Sequence, residues 1–332
     1  MQRPTRRMLL DCDPGHDDAI AMLLALARPE WTVEGIGVVA GNTTLHNAVR
    51  AAGQVLTVAG RTDVPVHPGL GQPLVRPLVT APHVHGESGL EGPVLPEPAV
   101  PPDDEHAIDW MLRLLGEARD TGVPVEVAAT GPLTNLGAVL RRDPTVVAGI
   151  DRVVVMGGAI TEGNITPAAE FNIYVDPEAA AIVFDADVPV TMIGLDVTHS
   201  AIFPAARFDE LRALGTPVGR LAADLLDFFL GFHRRQYGFD GVPIHDACAV
   251  AALLQPELVE SRHLRVDVET ASRFCDGRTV VDLWGVSGRE PNVHVATAID
   301  VEAFFALLMD ALSSYPAADP PPGTDWSRLR RT

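Results

Sequence analysis

Four aspartates within eight residues limit what this chain can fold into. An apolar run that ends at Leu10 precedes them, and a second apolar segment continues beyond them to Leu26. This pattern predicts a buried strand, a sharp turn at Pro14 and Gly15, and a helix over residues 17–26. In an open α/β sheet, ligand sites form at such strand-to-helix turns. The aspartates are Asp11, Asp13, Asp17 and Asp18.

Four carboxylates this close in sequence are electrostatically unfavourable unless something compensates their charge. Carboxylates this close repel one another, so that either their pKa values rise or the turn is destabilised. A hard cation relieves the repulsion, and Ca²⁺ takes about 6–8 oxygen ligands in irregular cages. The alternative is that one aspartate caps the helix while the others are solvated. The spacing DxDPGxDD favours a cation site.

Polar residues also follow other predicted strands. Asn42 comes after a β-branched run and is a candidate N-cap for the helix over residues 46–59. The segments that begin at Thr130 and Gly157 follow two further apolar runs. We therefore predict one Rossmann-like open α/β sheet, mainly parallel and flanked by helices, with the active site at the carboxyl ends of the strands. This domain would cover residues 1–312, followed by a Pro-rich tail over residues 313–332.

Two later segments carry candidate site residues. Glu170 and Asn172 alternate around Phe171, which predicts an extended segment with both polar groups on one face. Asp246 precedes a predicted helix over residues 247–254 and is a candidate N-cap, with His245 beside it. Helix capping alone would also explain Asp246.

The motif DCDPGHDDA resembles the amino-terminal signature of the inosine-uridine preferring nucleoside hydrolases, which are calcium-dependent enzymes that split a nucleoside into base and ribose. Further segments that resemble this family are GN, HVHGESGLEG, ATGPLTNLG, EFN and PIHDA. The resemblance extends from Leu9 to about Asp300.

The resemblance implies a role for each of these positions. The Ca²⁺ ligands would be Asp13, Asp18, Asp246 and the Thr130 carbonyl. Asp13 would also be the base that activates the attacking water. Asp17 and Asn42 would bind the ribose 2′- and 3′-hydroxyls. The 5′-hydroxyl would be held by Asn164, Glu170 and Asn172. Met156 would touch the nucleoside. His85 would lie over it, on a segment from His83 to Gly92 that is a candidate lid.

His245 is the candidate acid that protonates the leaving base, since an ordinary imidazole titrates near neutrality. Tyr237 lies eight residues before it, a spacing that resembles the pyrimidine-preferring branch of the family. His233 departs from that branch, so the sequence favours pyrimidine or mixed use and leaves purine use open. Ordinary packing at the end of a helix is the alternative for both residues.

Composition excludes several partners. The chain of 332 residues has a formal net charge of −19, which argues against binding nucleic acid or an anionic membrane. Three widely spaced cysteines and the lack of a signal-peptide core favour a reduced, cytoplasmic protein. The family resemblance implies a homodimer or homotetramer.

Two rival functions remain at this level. A calcium-dependent ribose- or nucleoside-binding protein would keep the aspartates without turnover. Haloacid-dehalogenase-like phosphatases also begin with a strand and DxD, but they need a lysine late in the chain. This sequence contains no lysine, which disfavours the phosphatase.

Overall fold

In the computed structural model, which describes residues 6–317, eleven strands and twelve α-helices follow one another along the chain. The strands are β1 (Arg6–Cys12), β2 (Trp31–Val38), β3 (Val66–Pro68), β4 (Val125–Ala129), β5 (Ile150–Met156), β6 (Val190–Ile193), β7 (Ile202–Pro204), β8 (Gly241–Pro243), β9 (Val259–Val268), β10 (Thr279–Asp282) and β11 (Val293–Ile299). The helices are α1 (His16–Leu26), α2 (Leu45–Ala59), α3 (Pro82–His85), α4 (Ala107–Thr121), α5 (Thr134–Arg142), α6 (Phe171–Val175), α7 (Pro177–Phe184), α8 (Leu195–Thr198), α9 (Phe208–Ala213), α10 (Pro217–Tyr237), α11 (His245–Leu254) and α12 (Val301–Ser313).

Nine of the strands in this part of the chain form one sheet in the order β3-β2-β1-β4-β5-β6-β11-β9-β10. Neighbouring strands from β3 to β11 are parallel, whereas β9 and β10 run antiparallel at one edge. The predicted Rossmann-like, mainly parallel sheet is confirmed. The strand order reverses direction between β1 and β4, and ligands bind at such a switch point.

Side chains of β1 alternate between two apolar layers. Met8, Leu10 and Cys12 are buried against α1, α2, α10, α11 and α12 on one face of the sheet. Leu9 points to the other face, where α4, α5 and α7 cover the sheet. Both faces of β1 are therefore dry, which explains why its sequence is apolar until the first aspartate.

Asp11 is buried at the end of β1 and is held by Asn135 in the first turn of α5. The Asn135 Nδ2 donates to Asp11 Oδ1 at 2.8 Å and to the Val38 carbonyl at 3.2 Å, while its Oδ1 accepts from the Leu70 amide at 2.9 Å. One amide side chain thus connects β1, β2, α5 and the segment after β3.

Three local predictions are wrong. The N-cap of α2 is Thr44 rather than Asn42, and that of α11 is Ile244, which places Asp246 inside the first turn. Glu170 does not lie in an extended segment with Asn172, because its carboxylate accepts hydrogen bonds from the amides of Asn172 and Ile173 and starts α6. The N-caps of α2 and α11 each lie two residues from the polar residue expected to cap the helix, and α6 begins where alternation suggested a strand.

The predicted tail lies outside the described residues from position 318 onward. Between residues 6 and 317, no helix combines the length and the apolar character needed to cross a bilayer.

Replacing Asn135 with Ala should lower the free energy of unfolding by about 3 kcal/mol, because the buried Asp11 carboxylate loses its side-chain donor. Urea unfolding measures this change. As a control, Asp109→Ala removes an ion pair to Arg142 in which both side chains are more than half exposed, and it should cost only about 0.5 kcal/mol. Equal urea midpoints for the two variants would contradict the role of Asn135.

Candidate active site

Acidic side chains from opposite ends of the chain meet at the carboxyl edge of the sheet. Because α1 packs against α11, the first turns of these two helices lie side by side. One oxygen each from Asp17, Asp18 and Asp246 lies within 4.8 Å of the others, and all three residues are buried. The predicted meeting of the amino-terminal motif with Asp246 is present in the structure. This group of three contains Asp17 where the sequence had suggested Asp13.

The electrostatic state of the cluster follows from its burial. Removal from water raises the pKa of Asp13 and of Asp246 well above the usual carboxyl range, and the negative charges of neighbouring aspartates raise it further. Burial, followed by the charge of Asp18, raises the pKa of Asp17 to about 8. The pKa of Asp18 is also raised by burial, although several hydrogen bonds oppose the shift. In the absence of a cation, the cluster therefore retains protons near neutral pH.

Asp13 is enclosed so tightly that only glycine fits on two sides. A Cβ at Gly41 would lie 2.1 Å from Asp13 Oδ2, and a Cβ at Gly131 would lie 2.6 Å from Oδ1. Oδ2 accepts the Asn42 backbone amide at 2.6 Å, whereas Oδ1 is buried without a hydrogen-bond partner. An unpartnered buried carboxylate oxygen is costly, so this atom suits a cation or a bound water.

The remaining donors around Asp18 are hydroxyl and amide groups. Its Oδ1 accepts the Thr130 hydroxyl at 2.9 Å, and its Oδ2 accepts the Gly15 amide at 2.9 Å and the Asn42 Nδ2 at 3.2 Å. The Thr130 carbonyl accepts the Asn172 Nδ2 at 2.8 Å, which leaves one of its two lone pairs. Carboxylates and a carbonyl are hard oxygen ligands for a metal ion. The aspartates and the Thr130 carbonyl therefore fit the Ca²⁺ that the sequence predicts.

A cleft of about 690 Å³ opens above the acids. Asp13 and Asp18 lie behind it, whereas Asp246 and Thr130 border it. All the residues predicted to bind substrate line this one cleft: Asp17, Asn42, His85, Met156, Asn164, Glu170, Asn172, His233 and Tyr237.

One wall of the cleft is polar and is organised by backbone amides. Glu170 Oε2 accepts the Gly158 amide at 3.0 Å, and Asn164 Oδ1 accepts the Phe171 amide at 2.9 Å. Burial raises the pKa of Glu170 to about 7. The Asn172 Nδ2 contacts the Thr130 and Met156 carbonyls, at 2.8 and 3.1 Å. These contacts fix the side chains before any substrate is bound.

The opposite wall is built from histidines and aromatic rings. His245 Nδ1 lies 2.7 Å from the Thr198 hydroxyl, and its ring centroid is 5.5 Å from that of His199. His233 donates from Nδ1 to the Phe229 carbonyl at 3.0 Å. Burial is the main cause that lowers the pKa of His245 well below its usual value and that of His233 to about 4. The pKa of His245 thus departs from that of the ordinary imidazole on which its assignment as an acid was based.

Several residues of the cleft were not predicted. Ring-bearing residues that the sequence analysis did not assign to the site also line it: His199, Phe229 and Phe232. His199 follows the short helix α8 rather than the end of β6, so the rule about polar residues at strand ends does not find it. The two phenylalanines share the face of α10 that carries His233, which amphipathic analysis does not separate from core packing.

Comparisons with known proteins agree with this geometry. The sequence pattern of the inosine-uridine preferring nucleoside hydrolase family matches residues 8–306. Pyrimidine-specific ribonucleoside hydrolases RihA from two Escherichia coli strains are 49% and 48% identical over 309 residues, covering 93% of this chain and 98% of each relative.

Solved structures agree as well. A purine-preferring ribonucleoside hydrolase from Gardnerella vaginalis has a TM-score of 0.87 at 30% identity, covering 94% of this chain and 99% of that chain. The plant nucleoside hydrolase PpNRh1 has a TM-score of 0.86 at 31% identity, with 93% and 99% covered.

The chain belongs to the inosine-uridine preferring nucleoside hydrolase family. It is a nucleoside hydrolase, and the phosphatase and the binding protein without turnover are both set aside.

In the presence of a chelator, the melting temperature should fall as the pH is raised from about 4 to about 8. The unfolded carboxyls titrate near 3.8, whereas that of Asp17 titrates near 8 when folded, so stability is lost as these protons dissociate. Added Ca²⁺ should restore more stability at pH 8 than at pH 5, because it replaces protons on the same oxygens. Differential scanning fluorimetry measures both effects, and a pH-independent gain from Ca²⁺ would contradict them.

Proposed function

We propose that this enzyme hydrolyses the N-glycosidic bond of ribonucleosides to free base and ribose, with pyrimidine or mixed base use. The observation that supports this most directly is the convergence of polar residues from distant segments in one cleft above buried acids. The RihA relatives are named pyrimidine-specific, and they are more similar in sequence than the purine-preferring structure.

We propose Ca²⁺ as the resident cation, with Asp13, Asp18, Asp246 and the Thr130 carbonyl as its protein ligands. The unpartnered Asp13 Oδ1 and the raised pKa values around it support this set. Asp17 is an alternative ligand, because one of its oxygens lies within 4.8 Å of oxygens of Asp18 and Asp246. When bound, the cation would lower the pKa of water and neutralise the acids around it.

Asp13 is proposed as the base that takes a proton from the attacking water. Its two oxygens differ, because the Asn42 amide fixes Oδ2 and leaves Oδ1 available. A bound cation would displace the proton that Asp13 retains in its absence, and the ionised carboxylate could then accept a proton from water.

The ribose would be held at both ends. Asp17 and Asn42 border the cleft above the acids and are proposed to bind the 2′- and 3′-hydroxyls. Asn164, Glu170 and Asn172 are proposed to bind the 5′-hydroxyl. The existing contacts use Asn164 Oδ1 and Asn172 Nδ2, which leaves one amide donor and one amide acceptor for that hydroxyl. Anchoring both ends favours the strained, cation-like ribose that the reaction requires.

His245 is proposed as the acid for the leaving base, with Met156, His233 and Tyr237 bordering the nucleoside. Because Thr198 occupies Nδ1, Nε2 is the nitrogen left to donate. A lowered pKa makes the His245 imidazolium a stronger acid, but it also reduces the fraction of enzyme molecules in which His245 is protonated. The acid role would therefore require His245 to be protonated before the base departs.

His245→Ala should lower kcat for uridine about 100-fold or more, because the departing base loses its proton source. A nitrophenyl riboside needs no such proton, because its nitrophenolate group leaves readily as an anion. Its hydrolysis by the same variant should stay within about threefold of wild type. Steady-state kinetics with both substrates measure this, and equal losses would remove His245 from the acid role.

A panel of nucleosides tests the proposed base preference. The ratio of kcat/KM values for uridine and cytidine over inosine and guanosine should exceed one, as the similarity to RihA suggests. The measurement is base release by purified enzyme in Ca²⁺. Faster cleavage of inosine than of uridine would contradict the preference, and no turnover of any nucleoside would contradict the proposed reaction.

Three broader features complete the proposal. A single catalytic domain would cover residues 1–312. Strongly exposed apolar side chains near the sheet edge at β10 support a homodimer or homotetramer. These side chains are Phe274, Trp284 and Val286. Light scattering would give the mass of the assembly. The free, buried thiols of Cys12 and Cys248 support a cytoplasmic location.

A further inference from the structure

His16 lies inside the aspartate motif, yet the mechanism proposed above gives it no role. We infer that His16 is a positioning residue that keeps the proton of His85 on Nδ1 and so presents an unprotonated Nε2 to the nucleoside. This inference rests on the proposed placement of His85 at the substrate. It concerns how that contact is made rather than which reaction follows.

The ring of His16 is fixed on every side. It is fully buried, and it stacks on Phe228 and Phe229 with centroid distances of 5.0 and 5.3 Å. Its Nε2 lies 2.8 Å from the Glu91 carbonyl oxygen, and its Nδ1 lies 3.1 Å from His85 Nδ1. The side chain thus connects the start of α1 to both ends of the segment from His85 to Glu91.

These contacts determine where the protons lie. A carbonyl oxygen only accepts, so the His16 Nε2 must carry a hydrogen. In a neutral imidazole the other nitrogen is then bare, which makes His16 Nδ1 an acceptor. The short contact between the two Nδ1 atoms requires a proton on His85, since two lone pairs would otherwise face each other. His85 Nε2 is consequently the unprotonated nitrogen.

One contact competes with this arrangement. The backbone amide of His16 lies 3.3 Å from His85 Nδ1 and would favour a lone pair on that atom. The distance is longer than the 3.1 Å between the rings. Satisfying this amide would leave the closer pair of nitrogens without a proton between them. The neutral pair therefore favours Nδ1–H on His85.

His85 lies beside one of the residues proposed to bind the ribose. A Cβ at Gly15 would lie 2.8 Å from His85 Cε1 and Nδ1 and from Asn42 Nδ2, so these two side chains are close neighbours, and both line the cleft. Asn42 is proposed to bind a ribose hydroxyl. An acceptor beside it would take the hydrogen of such a hydroxyl and fix its orientation.

Long-range ¹H–¹⁵N NMR of the wild-type enzyme tests the proton position directly. At pH 8, about 1.5 units above the ordinary imidazole pKa, both rings are neutral. We expect the Nδ1–H tautomer at His85 and the Nε2–H tautomer at His16. The signals are assigned from those missing in the His16→Phe and His85→Phe variants. An Nε2–H tautomer at His85 would overturn the inference.

Kinetics test the positioning role. His16→Phe keeps an aromatic ring between Phe228 and Phe229, removes both hydrogen bonds, and should lower kcat/KM for uridine roughly tenfold. The double variant with His85→Phe should be no slower than His85→Phe alone, because His16 acts through His85. His263→Phe, at an exposed site on β9, is the matched control and should behave as wild type.

Losses that multiply in the double variant, or wild-type kinetics for His16→Phe, would overturn the inference. A wild-type enzyme that cleaves no nucleoside would instead contradict the proposed function, while the NMR result would still decide the proton position.

Discussion

Repulsion between buried carboxylates is the interaction that the rest of the site accommodates. Asp13, Asp17, Asp18 and Asp246 lie in the dry junction between the central strand β1 and the helices α1 and α11. Separating these charges would require moving helices that are buried along most of their length. The protein instead surrounds the acids with amide and hydroxyl donors, and protons or a cation must neutralise the negative charge that these donors leave. The raised pKa values of Asp13 and Asp246 show that the surrounding donors do not fully stabilise the ionised carboxylates.

The architecture places this junction where a substrate can reach it. In the sheet order, β1 and β4 lie where the connections change direction, and Asp13 and Thr130 follow these two strands. Both residues are therefore found at the same edge, although the chain between them exceeds one hundred residues. The sheet fixes these positions, and Gly41 and Gly131 allow neighbouring backbone to approach Asp13 closely.

The fold and most of the cleft could be predicted because both depend on patterns that are local in the sequence. Apolar strands that end in polar turns gave the parallel sheet, and the same turns supplied Asp17, Asn42 and Thr130. Prediction was wrong where several local structures fit one pattern, as for Glu170, whose carboxylate caps α6. The pKa of His245 depends on burial by segments that are distant in the sequence, which local patterns do not reveal. His199 was missed because it follows a short helix rather than the end of a strand.

The long segment after β3 is connected to other parts of the fold by hydrogen bonds and ion pairs. Asn47 donates to the Glu87 carbonyl at 2.9 Å, and Gln54 donates to the Pro96 carbonyl at 2.9 Å, so α2 holds this segment along its length. Arg76 also forms ion pairs with Glu178 and Asp276. These fastenings preform the wall that carries His85 and reduce the entropy lost when a ligand is enclosed.

The charges of the cleft also determine which form of a metabolite can enter. None of the side chains that line it in the described part of the chain is an arginine, whereas Asp17, Glu170 and Asp246 are acidic. Under the proposed placement of the 5′-hydroxyl, a phosphate on that carbon would meet the Glu170 carboxyl without an arginine beside it, and this contact would be unfavourable. The proposed binding mode would therefore favour nucleosides over nucleoside monophosphates.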